Sequence, residues 1–157
     1  MKEKQLCFDI LSMRYKGFRI YQDMFSQALG KYQMTQMEMD ILLFLANNPQ
    51  YDTASQIVEV RQLTKSHVSA SVEQLVQKGL LMRTYEQGNR KVIHLKLMPK
   101  AREIVEDGRK CQRSFAELLS EGISPEKLEI AGEVMGQMMK NMRNFRKSRE
   151  EKEDFEV

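Results

Sequence analysis

The residues whose types and spacing could do chemistry lie between Leu63 and Gly79, in the run L-T-K-S-H-V-S-A-S-V-E-Q-L-V-Q-K-G. Wound as a helix at about 100° per residue, this stretch gathers Val68, Val72, Leu75, Val76 and Gly79 into one stripe. Ser66, Ala70, Glu73 and Gln77 fall opposite, flanked by His67 and Gln74. An ordinary surface helix carries long charged side chains on its outer face. Here the first two turns carry mostly short or neutral hydrogen-bonding groups, a surface that another molecule can approach closely, as base edges do in the major groove of DNA. Thr64 suits an N-cap, Lys65 follows at the first helical position, and Gly79 stands where a left-handed residue closes a helix. Taken alone, the stretch is equally a capped surface helix without a partner.

The surrounding charge favours a polyanion. Between Val60 and Arg102 stand nine basic residues (Arg61, Lys65, Lys78, Arg83, Arg90, Lys91, Lys96, Lys100, Arg102) against two acidic ones (Glu73, Glu86), although the chain as a whole is only +3. A solvated face would mix signs, whereas a basic segment in a mildly acidic remainder is an electrostatic footprint. With 157 residues, 41% hydrophobic and 30% charged, the chain can bury a core as one globular domain. The longest apolar run is Ile41 to Ala46 and the N-terminus lacks an apolar signal core, so no membrane is expected and the cytoplasm is the expected location. Cys7 and Cys111 lie far apart without Cys/His ligand spacing, which argues against a disulfide framework or a metal site, and no cofactor is implied. Two isolated histidines, His67 and His94, no nucleophile motif and no glycine-rich phosphate loop leave catalysis without support.

The elements that must position this face are predicted from caps and periods. Residues 3 to 29 read as a helix with Cys7, Leu11, Phe18, Tyr21, Phe25 and Ala28 on one side and Gly30 as its stop. Leu6, Ile10, Tyr15, Met24 and Leu29 widen that side beyond what one neighbouring helix covers, which suggests a second subunit. Thr35 and Glu38 form a capping box, with Met34 and Met39 as a hydrophobic staple, and the helix they open has an inner face of Ile41, Leu42 and Leu45. Asn48 before Pro49 ends it. Thr53 and Gln56 form a second box, opening a short helix that buries Ile57 and Val58 or Val60. A tight turn then leads to the helix from Thr64, which makes a helix-turn-helix. After Gly79 the period becomes strand-like: Leu80 to Tyr85, a turn at 86–89, and a return strand Lys91 to Leu97 with Ile93, Leu95 and Leu97 on one face. This hairpin with a basic tip is a wing. Pro99 starts a helix to about Ser120, Gly122 ends it, and Ser124-Pro125 opens a last helix with a stripe of Leu128, Ala131, Met135, Met138, Met139 and Met142. From Lys147 onward the chain is nearly all charge and is expected to fray.

This order of elements resembles the MarR family of winged-helix transcription regulators, and residues match as well. Leu63-Thr64-Lys65-Ser66, Val68-Ser69, Leu75 and Lys78-Gly79-Leu80 are similar to the family's recognition-helix pattern, and Asn89-Arg90-Lys91 to its wing motif. Three positions depart from it: Gln62 stands for a turn glycine, Asn89 for the wing aspartate, and Met98 for a capping threonine. The resemblance implies a mainly α fold with a small β-hairpin wing, in which 1–34 and 100–148 are dimerisation helices, 35–99 the winged helix-turn-helix and 149–157 a frayed tail. It implies a homodimer on a pseudo-palindromic double-stranded operator, a repressor released by a small-molecule effector. The DNA-binding residues would be Lys65, Ser66, His67, Ser69, Ala70, Glu73, Gln74, Arg83, Asn89, Arg90 and Lys91. Glu73 would either accept from a cytosine amino group or hold a basic neighbour in place.

Two alternatives stand beside this reading. Gln5-Leu6-Cys7-Phe8 resembles the reactive-cysteine segment of the family's organic-peroxide-sensing branch, with Tyr21 at one activating-tyrosine position but Gln36 at the other. Fourteen helical residues span about 21 Å, so only a partner subunit's tyrosine could reach Cys7, and Cys7 is expected to be a packing residue. The other alternative is an interaction module that keeps the fold without binding DNA.

Overall fold

Six α-helices, one turn of 3-10 helix and a two-stranded hairpin make up the described chain. In order they are α1 (Lys2–Tyr32), α2 (Gln36–Asn47), α3 (Ala54–Arg61), α4 (Lys65–Gln77), β1 (Leu81–Glu86), β2 (Asn89–Leu97), a 3-10 turn (Pro99–Ala101), α5 (Arg102–Ser120) and α6 (Pro125–Phe155). The structure, a computed structural model, describes residues 2–86 and 89–155, and side chains for 4–85 and 92–146. This is the mainly α, winged helix-turn-helix architecture expected from the sequence.

Both predicted capping boxes form: Thr35 with Glu38 at the start of α2, and Thr53 with Gln56 at the start of α3. Each satisfies two backbone donors that a helix N-terminus otherwise leaves without partners. Gly79 (φ +70) closes α4, where the Leu80 N–H reaches the Leu75 carbonyl and the Gly79 N–H that of Val76, and Gly122 (φ +72) follows α5. Gly30 does not stop α1. The helix runs on to Tyr32, and Gln33 (φ 50) provides the left-handed residue, with the Met34 N–H bonded back to the Leu29 carbonyl. Gln62 (φ 54) does the same after α3, at the position where a turn glycine was missed in the sequence. A residue with a Cβ is strained in that region. Replacing Gln33 or Gln62 with glycine is therefore expected to stabilise the fold by up to about 1 kcal/mol each, since the relief outweighs glycine's greater unfolded-state entropy. Urea midpoints of the two variants check this.

The chain divides into two units, Met1–Phe115 and Ala116–Val157. In the first, α2 is the central element. Met39, Ile41, Leu42, Leu43, Phe44 and Leu45 are all buried, a wider set than the expected inner face, because α2 is apolar on nearly every side and is wrapped accordingly. Phe25 from α1, Ile57 from α3, Val68, Val72 and Leu75 from α4, Leu81 and Leu95 from the hairpin, and Ile104 and Val105 from α5 complete this core. Of the α3 candidates Val58 is half-buried and Val60 exposed. Gly108 lets α5 pass close to α2, since a Cβ there would lie 2.9 Å from Met39 Sδ and 3.0 Å from a Leu43 methyl. Lys31 Nζ, 2.9 Å from both Glu103 Oε1 and Asp107 Oδ2, ties the end of α1 to α5.

The apolar side of α1 is buried only at its C-terminal end, by Phe25 and Ala28, while Leu6, Phe8, Ile10, Leu11, Met13, Tyr15, Phe18 and Ile20 are exposed. In the second unit Leu128, Ile130, Val134, Met135, Met139 and Met142 are exposed as well. α6 extends to Phe155, and the fraying expected from Lys147 concerns residues whose side chains lie outside the described set.

Candidate nucleic-acid interface

α4 is built as its sequence demands. Val68 and Leu75 are wholly buried and Val72 nearly so, which fixes the opposite face outward. Lys65, Ser66, His67, Ser69, Ala70 and Gln74 are all exposed, and Glu73 is partly so. Thr64 sits in the extended conformation of an N-cap, but its side chain makes no capping hydrogen bond. The first backbone N–H groups of α4 are therefore not taken up by that hydroxyl, and the helix N-terminus keeps its affinity for an anion.

The other end of α4 is held firmly. Lys78 Nζ donates to Glu38 Oε1 at 2.7 Å and to the Gln33 carbonyl at 3.0 Å, while the Thr35 N–H donates to Glu38 Oε2 at 2.7 Å. Burial raises the Glu38 pKa, but Lys78 and Thr35 outweigh it and hold the carboxyl below its ordinary value. A shallow groove beside this anchor is lined by Gln33, Thr35, Glu38, Ala70, Ser71 and Gln74, among others, so it borders the outer face of α4.

The hairpin joins α4 through Arg83. Its Nη2 lies 2.7 Å from Glu73 Oε2, and Gln77 Nε2 donates to Glu73 Oε1 at 3.2 Å. Arg83, then Gln77, hold the Glu73 carboxyl below its usual range. Both carboxylate oxygens are engaged, which supports the expectation that Glu73 holds a basic neighbour. In the strand pairing Arg83 faces Leu95, between Leu81↔Leu97 and Tyr85↔Ile93. A second tie lies at the base of the wing, where His94 Nδ1 is 2.9 Å from Asp52 Oδ2 and the Leu95 N–H donates to the Asp52 carbonyl. His94 is half-buried and turned to Asp52, beside an added pairing of Thr53 with His94. The backbone of Asn89, Arg90 and Lys91 belongs to β2, while their side chains, and the turn residues Gln87 and Gly88, lie outside the described residues.

Cys7 and Tyr21 are not brought together within the chain. Cys7 is exposed, not packed, as are the apolar residues beside it on the N-terminal part of α1. Tyr21 is half-buried against Phe25 and Phe115, with ring centroids at 4.5 and 5.3 Å, and burial pushes its phenol pKa up. Gln36 donates to Asp40 Oδ1 at 2.9 Å. Among the described residues no group of three or more His, Cys, Asp or Glu could hold a metal ion, and no helix is long and apolar enough to cross a membrane.

A family profile described as MarR family matches residues 32–91, from the last residue of α1 through α4 into the hairpin. Over these residues the chain is similar to the MarR family. No curated protein sequence matches it, but solved structures share its fold. The Staphylococcus aureus MepR–DNA complex aligns with a TM-score of 0.68 at 21% identity over 83% of this chain and 93% of that one. A Listeria monocytogenes putative MarR regulator complexed with 26-mer DNA gives 0.74 at 13% over 87% of each. Bordetella bronchiseptica BpsR, whose DNA binding is regulated by 6-hydroxynicotinic acid, gives 0.65 at 16% over 83% of this chain and 98% of that one. The departures from the MarR-like pattern have local consequences. Gln62 adopts the glycine conformation, and Met98 heads the 3-10 turn without a side-chain cap, its backbone N–H bonded instead to the Leu80 carbonyl.

The pairing of Glu38 with Lys78 and the role of Asp52 are what sequence reasoning missed. Each carboxylate pairs with a residue far along the chain, and no local pattern announces either pair.

Proposed function

We propose that this protein binds double-stranded DNA as a homodimer and regulates transcription, as a repressor released by a small molecule. The observation that carries the reading is the outer face of α4. Six exposed short or hydrogen-bonding residues (Lys65, Ser66, His67, Ser69, Ala70, Gln74) project from a helix locked at its far end by Lys78 and Glu38 and braced by the hairpin. Such a face supports reading of base edges, while Arg83 and the wing residues Arg90 and Lys91 supply phosphate contacts. Two copies covering the apolar rows of α1 and α6 would present two such helices to a pseudo-palindrome. An effector in the groove beside Ala70 and Gln74 would compete with DNA for the same side chains, which supports release by a ligand. MepR and the Listeria regulator are complexed with DNA and BpsR answers to a small aromatic acid; these neighbours favour the same reading for this chain.

The deciding experiment is a footprint on the DNA upstream of the protein's own coding sequence. Protection of a symmetric site supports the reading, and only uniform low-salt binding would favour the interaction module. On that site, replacing both Arg90 and Lys91 with alanine is expected to weaken binding to every sequence. It should also flatten the log–log salt dependence by about one unit per lost phosphate contact. Unchanged affinity and slope would show that the wing stays off the DNA.

A further inference from the structure

We propose that Glu73 is a positioning residue for DNA binding, its carboxylate holding the Arg83 guanidinium at the joint of α4 and β1 so that Arg83 meets the phosphate strand between the two grooves. This rests on the DNA-binding reading above and names the work of two residues within it. Glu73 shares the outer face of α4 with Ser66 and Ala70, so a helix seated in the major groove carries Glu73 with it. Arg83 lies on β1, the strand that leads away from α4 into the wing. A wing beside such a helix enters the adjacent minor groove, and the wall between a major and a minor groove is a phosphate strand. The side chain at the joint therefore faces phosphate.

Geometry suits Arg83 to that contact. Its backbone is fixed by pairing with Leu95, and its side chain is 35% exposed while bonded to a Glu73 that is 47% exposed. A guanidinium has five N–H donors in a rigid fork, and the 2.7 Å contact to Glu73 uses one nitrogen, Nη2. A carboxylate on one edge orients the plane and leaves the other edge for a phosphate oxygen, where a charge-assisted bond is strong. Gln77, donating to the other oxygen of Glu73, keeps the carboxylate from turning toward a base.

The sign of one substitution separates this role from the two others open to an acidic residue at a DNA surface. Affinities of the full-length protein would be measured on its footprinted operator and on an unrelated duplex, across a salt series. Glu73→Gln removes a negative charge, and if Glu73 merely repelled phosphate, binding would tighten on both duplexes. If it read a cytosine, discrimination at one base pair would fall while the unrelated duplex bound as before. For a positioning residue, binding weakens roughly 3- to 10-fold on both duplexes despite the lost repulsion. Arg83→Ala weakens both by about 10-fold or more and lowers the salt slope by about one. In the Arg83→Ala background Glu73→Gln costs nothing further, which a general structural role would not produce. Glu73→Asp, which keeps the charge but is one methylene short, gives the same weakening should the glutamine variant fold poorly. Tightening, loss confined to one base pair, or unchanged affinity on Glu73→Gln each overturns the inference and leaves the DNA-binding reading intact. Failure of the unsubstituted protein to protect any operator overturns both.

Discussion

Replacing Met135 and Met142 with lysine is expected to convert a dimer into monomers and to lower operator affinity by about two to four orders of magnitude. Both side chains lie outside any core in their own unit, at 56% and 58% exposure. Leu128, Met135, Met139 and Met142 recur along α6 at spacings that keep them on one side, and all are exposed. On a helix that faces only water, two such substitutions would change stability by no more than about 0.5 kcal/mol each. In an apolar interface between copies they bury two unpaired charges, which a weak association cannot tolerate. The effect on DNA follows from linkage. In the proposed dimer two α4 helices held together would make the second half-site contact intramolecular, and losing that advantage forfeits about 10²- to 10⁴-fold in affinity. Sedimentation or light scattering reads the oligomer, and titration of a full operator against a half-site reads the linkage. Dimeric protein with unaltered operator affinity would remove α6 from the interface.

Much of the fold was legible because it is written locally. Capping boxes at Thr35 and Thr53 and the glycines at 79 and 122 are short-range signals, and each marks the helix end it was read to mark. The end of α1 was not legible, since glutamine at 33 gives no hint that it will adopt a left-handed conformation; Gly30, read as the stop, lies inside the helix. Burial on α1 was misjudged for another physical reason. Periodicity reports that a face is apolar but not which molecule covers it, so Cys7 was read as packed although it is exposed in the single chain. For the recognition face the 3.6-residue period sufficed to sort Val68, Val72 and Leu75 inward from Ser66, Ala70 and Gln74. What holds that face in place was readable only as one of two roles for Glu73, with no partner named. The pairs Glu38–Lys78, Asp52–His94 and Glu73–Arg83 are separated by 40, 42 and 10 residues, and a charge that finds its partner only after folding looks in sequence like any solvated charge.

The first of those pairs carries the largest expected stability effect of a single substitution. Lys78→Met is expected to destabilise the protein by about 3 kcal/mol at neutral pH, the lower end of what breaking a buried ion pair costs, because Lys78 itself is one-third exposed. Glu38 is not: its side chain is 4% exposed, and without Lys78 its carboxylate would rely on Thr35, whose N–H donates to Oε2. Removing both charges should cost less than removing one, so Glu38→Gln added to Lys78→Met is expected to recover part of the loss. The pH dependence separates this from a packing defect. In the unsubstituted protein the Glu38 pKa lies below its ordinary value of 4.5, so its contribution is fully present above that value and lost as pH falls through the folded pKa. In Lys78→Met the burial that raises the pKa loses its main opposition, and Glu38 should take up a proton more readily in the folded than in the unfolded chain. Folding of the variant is then favoured by acid, so its deficit relative to the unsubstituted protein should shrink as pH falls from 7 toward 4. Urea unfolding of both proteins across that range reads the difference, and a deficit independent of pH would assign it to the lost lysine stem. The same pair fixes where α4 ends, against the Gln33 carbonyl at the turn between α1 and α2. Loosening it should therefore weaken operator binding at temperatures where the variant is still folded, because the face proposed to read DNA is only as well placed as the helix that carries it.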